Sequence, residues 1–339
     1  MAEARANKEP LIQIRNLNVA YKTRSGWVSA VDNVSFDFFP GEIMGLVGES
    51  GSGKSTLGKA LMKMLPKGTQ VSGEVLIDGK NVLAFDAEDL RDMRGRKISM
   101  IFQDPMTSLN PVQRVDDHLL ETIEVHDASR GREEDLERIA KLLERLSIQK
   151  ERMRDYPHQL SGGMRQRIMI SLGMLLYASL IIADEATTSL DVIVEAKLLD
   201  LLKTLRDSLD VSVLAITHNI ALVAEIADRV AVMYAGEIVE LGSVYEVFDK
   251  SLHPYTQGLL KSVPNIKLDE DEELYRMAGE PPNLIDPPSG CRFHPRCPQA
   301  MPICERVEPA FDPAAPEHWV HCWLYQDHPE KEEPTLVVN

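Results

Sequence analysis

The first 290 residues contain no cysteine; all four, Cys291, Cys297, Cys304 and Cys322, fall in the last 49 of 339. That distribution excludes a disulfide framework across the chain, and a reducing compartment would keep the four thiols unbridged. Positive charge is also in deficit. With 37 basic and 53 acidic side chains the formal charge is −16, which argues against a general nucleic-acid binder, since such a protein needs a basic face to displace counterions from phosphates. Long apolar runs are absent: the longest charge-free stretch, Ile168–Ala183, has 16 residues and ends on Asp184-Glu185. It is shorter than the roughly 20 residues that cross a bilayer and reads as a buried helix running into a buried strand. Residues 1–10 (MAEARANKEP) lack the apolar stretch of an export signal, so a soluble, cytosolic chain is expected. There is no internal repeat. What is present is an apolar fraction of 44%, enough for a sizeable core and too high for disorder over most of the chain. The length suits two domains.

Alternating apolar residues over 11–19 and 31–39 predict antiparallel strands around a turn at Ser25-Gly26. The apolar run Ile43–Val47, bounded by Gly41 and Gly48, predicts a buried strand. Val75-Leu76-Ile77 before Asp78-Gly79 adds a hairpin signal. Leu136, Ile139, Ala140, Leu143 and Leu146 share one face of a helix predicted over 133–148. Short β-rich runs at 180–183 and 211–216 suit a parallel sheet core, and 229–241 reads as two strands joined at Ala235-Gly236. From about residue 256 proline becomes frequent and periodicity disappears, which marks the start of an irregular extension held by something other than a large core.

The strongest chemical signal is Gly48-Glu-Ser-Gly-Ser-Gly53-Lys54-Ser55-Thr56, which fits G-x-x-x-x-G-K-[ST] between a predicted strand and a helix. Glycines let the backbone curl so that successive N–H groups face phosphate oxygens, and the helix N-terminus adds partial positive charge. Lys54 is expected to reach the β- and γ-phosphates and the Ser55 hydroxyl to ligate Mg2+. The strand ending in Asp184-Glu185 delivers two carboxylates: Asp184 suits the magnesium shell, Glu185 the polarisation of an attacking water. Alone, these would be solvated acids at a strand end. Leu160-Ser161-Gly162-Gly163-Met164 is a second glycine loop entering a helix, which taken alone is a helix start with Ser161 as its cap.

Together these segments resemble the ATP-binding-cassette ATPases over about residues 10–255, where every expected motif occurs in order. The resemblance implies an α/β fold: a parallel-sheet core carrying the phosphate loop, an antiparallel β subdomain and a helical subdomain. It implies that Tyr21 stacks on adenine and that Ser50, Gly51, Ser52, Gly53, Lys54, Ser55 and Thr56 bind ATP. Gln103, in Phe102-Gln103-Asp104-Pro105, would sense magnesium and contact the membrane partner; His218 would contact the γ-phosphate. Ser161, Gly162 and Gly163 would act on the nucleotide of a second ATPase subunit, and Asp191 would cross to that subunit. A solitary copy therefore cannot complete a site. Ala186 and Ala178 depart from the prolines usual in this group, but neither departure removes a ligand.

Residues 290–298, Gly-Cys-Arg-Phe-His-Pro-Arg-Cys-Pro, and His253-Pro254-Tyr255-Thr256 resemble the C-terminal part of oligopeptide and dipeptide importer ATPases. This narrower resemblance divides the chain into a nucleotide-binding domain, 1–255, and a small irregular Cys-rich extension, 256–339. It implies one [4Fe-4S] cluster on Cys291, Cys297, Cys304 and Cys322, chemically sound for four thiolates. Structural Zn2+ and free thiols stay open, and His294, His318 and His321 keep a mixed zinc site in view. The same resemblance implies ATP hydrolysis with Mg2+, two membrane-spanning permease subunits, an extracellular solute-binding protein, no nucleic acid, and a place at the cytoplasmic face of the membrane. Solutes moved by such systems include oligopeptides, dipeptides, nickel chelates and oligosaccharides. A soluble cassette ATPase of DNA repair or translation would carry two cassettes, a long coiled-coil insertion or a basic surface, none of which is visible. A non-catalytic partner cassette is disfavoured by the presence of Glu185 and His218. The basic residues of 91–97 and the acidic run 269–273 read as solvated surface.

Overall fold

The computed structural model describes residues 8–102, 109–126, 130–184, 203–204, 206–207, 211–262 and 276–327. Buried and part-exposed positions alternate along β1 (Ile12–Lys22) and β2 (Trp27–Phe38), as a sheet with one apolar face requires. The hairpin between them closes where the Thr23 N–H donates to the Gly26 carbonyl. With β3 (Ile43–Val47) the pattern changes to burial at every position. β4 (Gln70–Ile77) and β5 (Lys80–Asn81) form the hairpin expected at Asp78-Gly79, whose two residues have φ of 50° and 73°, the left-handed pair that matches strand twist. These strands make one antiparallel sheet in the order β2-β1-β4-β5.

The second sheet adds β6 (Ile98–Ile101), β7 (Leu180–Asp184), β8 (Ser212–Thr217), β9 (Arg229–Tyr234), β10 (Glu237–Ser243), β11 (Asp312–Ala315) and β12 (His318–Val320). Its order is β11-β12-β10-β9-β3-β8-β7-β6, with β9, β3, β8, β7 and β6 running parallel. Continuous burial along these five strands reflects cover on both faces. Residue parity along β3 assigns the faces: Ile43 and Val47 enter one core, Met44 and Leu46 the other.

The second core is shared with the antiparallel sheet and α1 (Lys54–Leu61); α2 (Ala87–Met93) contributes Met93 to it. The first is shared with α3 (Val115–Val125), α4 (Arg132–Arg145), α5 (Gly162–Met174) and α6 (Ile220–Ile226). In α4, Ile139, Ala140 and Leu143 are buried and Leu136 packs against the same core. The helix stops before the predicted 148 because Ser147 takes φ of 56°, which turns the chain out of the helical path. Two short helices follow β10, α7 (Val244–Asp249) and α8 (Pro254–Lys261). The last described segment carries β11, β12 and short 3-10 turns at His294–Arg296, Pro302–Glu305 and Trp323–Tyr325 and is otherwise irregular, and β12 pairs antiparallel with β10 through Glu240↔Val320 and Leu241↔Trp319. Among the described residues no helix is long and apolar enough to cross a membrane.

A candidate nucleotide site at the strand ends

Parallel strands bring their carboxyl ends to one edge. Val47 of β3 lies opposite Thr217 of β8, and Asp184 of β7 opposite Ile216. The glycine-rich loop that begins at Gly48 leaves β3 at this edge, Asp184 ends β7 there, and His218 follows β8, exposed to solvent. Such an edge is where open α/β sheets bind ligands.

The loop is pressed against its neighbours. A Cβ on Gly48 would come within 2.1 Å of the Met233 carbonyl oxygen, and one on Gly53 within 2.1 Å of that of Ala30. Gly53 also has φ of 108° at the head of α1, a conformation that side chains oppose. The Gly236 N–H, in the β9–β10 turn, donates to the Ser52 carbonyl at 2.9 Å. Ser52 is buried while Ser50 and Gly51 are exposed at the tip.

Lys54 is 4% exposed. Its Nζ donates to the Gly48 and Glu49 carbonyls, each at 2.8 Å, and to Ser52 Oγ at 3.4 Å. A cation this buried requires such partners. The Ser55 hydroxyl donates to Asp184 Oδ1 at 2.7 Å, so the two oxygens expected to share a magnesium ion already face one another. The Tyr21 hydroxyl donates to Thr56 Oγ1 at 3.2 Å, which fixes the half-buried ring beside the first turn of α1. Ser161 caps α5, accepting the Met164 N–H at 3.3 Å. Gly162 and Gly163 have open space where a Cβ would stand. Gln103, Glu185 and Asp191 lie outside the described residues; β6 and β7, which lead toward the first two, end side by side at Ile101 and Ala183. A separate cavity of about 680 Å3, lined by Asp116, Leu136, Lys150 and Met153 among others, touches none of these groups.

Two contributors to the loop were not read from the sequence. The Glu49 N–H donates to the Tyr255 hydroxyl at 2.9 Å, and the Glu49 carboxylate accepts two bonds from Arg296, at 2.7 and 3.0 Å. Tyr255 stood in a motif already singled out; Arg296 stood in the cysteine segment, where the cysteines and His294 drew notice.

The four cysteines are free. Burial pushes the Cys291 and Cys322 thiols up to about 12 and raises that of Cys297, with neighbouring cysteines adding to each effect. Among the described residues, no three His, Cys, Asp or Glu side chains are spaced to hold a metal ion, so the expected iron–sulfur or zinc site is not preformed. The physical reason is partly that buried thiolates without a cation are unfavourable. The histidines are engaged elsewhere as well. His294 Nδ1 meets the Cys291 carbonyl at 2.9 Å, His318 Nε2 meets Glu240 at 2.8 Å, and His321 meets Glu237 at 3.5 Å.

Comparison with known proteins adds family to geometry. A profile described as "ABC transporter" matches residues 31–188, and one described as "Oligopeptide/dipeptide transporter, C-terminal region" matches 239–304. The chain is 42% identical to the dipeptide transport ATP-binding protein DppD of Bacillus subtilis, over 95% of this chain and 97% of that protein. It is also 42% identical to the oligopeptide transport ATP-binding protein OppD of the same organism, over 96% and 92%. Among solved structures, the dimeric form of a bacterial ABC transporter cassette superposes with a TM-score of 0.61 at 28% identity, covering 69% of this chain and 98% of that one.

Proposed function

The chain belongs to the ABC transporter family of ATP-binding proteins, and from that membership we infer that it is the subunit whose ATP hydrolysis powers peptide import through a membrane complex. It works with permease subunits and a second ATPase, and associates with the membrane through them. The observation that carries the reading is the Lys54–Ser55–Asp184 constellation at the strand ends.

In our proposal the loop N–H groups and the α1 N-terminus receive the phosphates. Lys54 exchanges the Gly48 and Glu49 carbonyls for β- and γ-phosphate oxygens, so the cation stays paired throughout. Ser55, Asp184 and Gln103 would hold Mg2+, which would supply positive charge to offset that of the phosphates. Glu185 orients and polarises the attacking water, His218 contacts the γ-phosphate, and Tyr21 stacks on adenine. Ser161, Gly162 and Gly163 close over the partner's nucleotide, and Asp191 reaches across; the dimeric form of the similar solved cassette supports such a pairing. We divide the chain into a nucleotide-binding unit, 1–255, and a Cys-rich extension, 256–339. A solute-binding protein outside the cell and a position at the cytoplasmic face complete the reading. Similarity to dipeptide and oligopeptide transport ATP-binding proteins favours dipeptides or oligopeptides over oligosaccharides or nickel chelates.

We also propose one [4Fe-4S] cluster on Cys291, Cys297, Cys304 and Cys322, with Zn2+ as the alternative. Support comes from the donor set: four thiols within one C-terminal segment, Cys304 and Cys322 buried and Cys291 and Cys297 half-buried, and four thiolates are the ordinary ligands of such a cluster. Iron, sulfide and zinc analysis of protein purified without oxygen checks it; about four irons and four sulfides per chain are expected, and a chain free of all three overturns it. For the ATPase assignment, Glu185→Gln should cut turnover by about 100-fold or more while ATP stays bound. Rapid turnover in that variant would remove Glu185 from its role.

A further inference from the structure

We propose that Arg296 is a positioning residue for the phosphate loop, so that the C-terminal extension sets how tightly this chain holds nucleotide. The inference rests on the nucleotide-site reading above. Glu49 is the second residue of the loop, and all its polar groups are engaged: its N–H by Tyr255, its carbonyl by Lys54 and its carboxylate by Arg296 in a two-bond fork. Beyond it, Ser50 and Gly51 are exposed, and nothing stands within 4 Å of a Cβ built on Gly51. The position of the loop's first arc therefore depends on contacts that come from residues 255 and 296.

Arg296 is built to hold this place. Its side chain is 5% exposed. Nε donates to the Ala278 carbonyl at 3.0 Å, Nη1 also reaches the Tyr234 hydroxyl at 3.3 Å, and the guanidinium lies over the Tyr234 and Phe293 rings at 5.6 and 5.9 Å. Attachment of the extension does not need this fork, because β12 already pairs with β10, and Arg292 already pairs with Glu237 at 2.7 Å. What the fork adds is specific to the loop. A carboxylate beside a site for ATP phosphates opposes their binding, and a bidentate guanidinium both cancels that charge and fixes its direction. Arg296 also immediately precedes Cys297, and the turn 294–296 is closed by bonds from the His294 N–H to the Cys291 carbonyl and from the Cys297 N–H to the His294 carbonyl. Disturbance of the cysteine segment is thereby transmitted to Glu49.

The test compares wild type, Arg296→Ala, Arg296→Lys and Arg296→Ala/Glu49→Gln in the full chain, with Lys54→Ala as the control that removes phosphate binding. Affinity for a fluorescent ATP analogue is measured on the isolated chain, and KM and kcat for ATP in the reconstituted transporter. Arg296→Ala should raise Kd and KM about tenfold with kcat within about twofold, and Arg296→Lys should fall between it and wild type. Adding Glu49→Gln should restore most of the affinity, because the uncompensated charge is gone; a role confined to stability would not be rescued this way. Unchanged affinity in Arg296→Ala, or a loss of kcat alone, overturns the proposal. If Arg296→Ala does not fold, wild-type affinity in Arg296→Lys overturns it and a weakened affinity supports it. A wild-type chain that binds no ATP analogue would instead refute the underlying nucleotide site.

Discussion

Gly53 and Gly162 each precede or open a helix, yet for different physical reasons. Gly53 stands at φ of 108° with the Ala30 carbonyl 2.1 Å from where a Cβ would be, whereas nothing lies within 4 Å of a Cβ on Gly162. Gly53→Ala should therefore destabilise the protein by about 3 kcal/mol, combining backbone strain with a clash against main chain. Gly162→Ala should leave stability unchanged or raise it by roughly 0.5 kcal/mol, since alanine is the better helix former. Its turnover in the assembled transporter should nonetheless fall about tenfold or more if the loop must close on a partner's nucleotide. Denaturant unfolding and ATPase assays on the two variants separate these effects; normal turnover in Gly162→Ala would argue against closure of this loop on the partner's nucleotide. At this scale the meeting of Ser55 with Asp184 beside the buried Lys54 could be anticipated from sequence because their loop and strand motifs are each contiguous. The Glu49–Arg296 fork could not be, because its members are 247 residues apart and an arginine in a proline-rich segment carries no local pattern.

Elements show where local rules held and where they needed tertiary information. Strands β3, β7, β8 and β9 of the parallel core were readable as short apolar runs and the β4–β5 hairpin from Asp78-Gly79, whereas β6, four residues long, was not read. The fate of 256–339 was not readable either: β11 (DPAA) carries Pro313, which cannot donate to a ladder, and it pairs with β12 at the edge of the sheet. The α8 cap gives a pH prediction. His253 is 1% exposed and its Nδ1 accepts the Tyr255 N–H at 3.0 Å, which requires the neutral ring. Burial, with His321 adding to it, lowers its pKa from the ordinary 6.5 to about 3. The unfolded chain then takes up a proton near 6.5 and the folded one only near 3. Stability is lost as pH falls between these values, at up to about 1.4 kcal/mol per pH unit from this group. His253→Asn keeps a capping acceptor and removes the titration, so its unfolding midpoint should depend less steeply on pH over that range. Parallel curves for the two proteins would remove His253 from the acid response.

Across the whole molecule the extension and the sheet share one core. Phe293 is 1% exposed and meets Tyr234 and Tyr255 at ring-centroid distances of 5.2 and 5.4 Å. Phe293→Ala should cost about 3–5 kcal/mol, the range for a buried aromatic that leaves a cavity. Calorimetry of the wild type should give one transition covering both regions, and Phe293→Ala should lower it as a unit; an independent transition for the extension would contradict the shared core. By itself the sequence determined most of the parallel core, the glycine-rich loop between β3 and α1, the carboxylate at the end of β7, the capped start of α5 and the family, because each is written in consecutive residues or in motif order. Only the tertiary structure decided what the C-terminal residues serve. It gave His318 to Glu240, 78 residues away, where the sequence had left it free for a metal, joined β12 to the cassette sheet, and set Arg296 on the phosphate loop. Such pairings depend on which surfaces meet after folding, and no spacing along the chain encodes them.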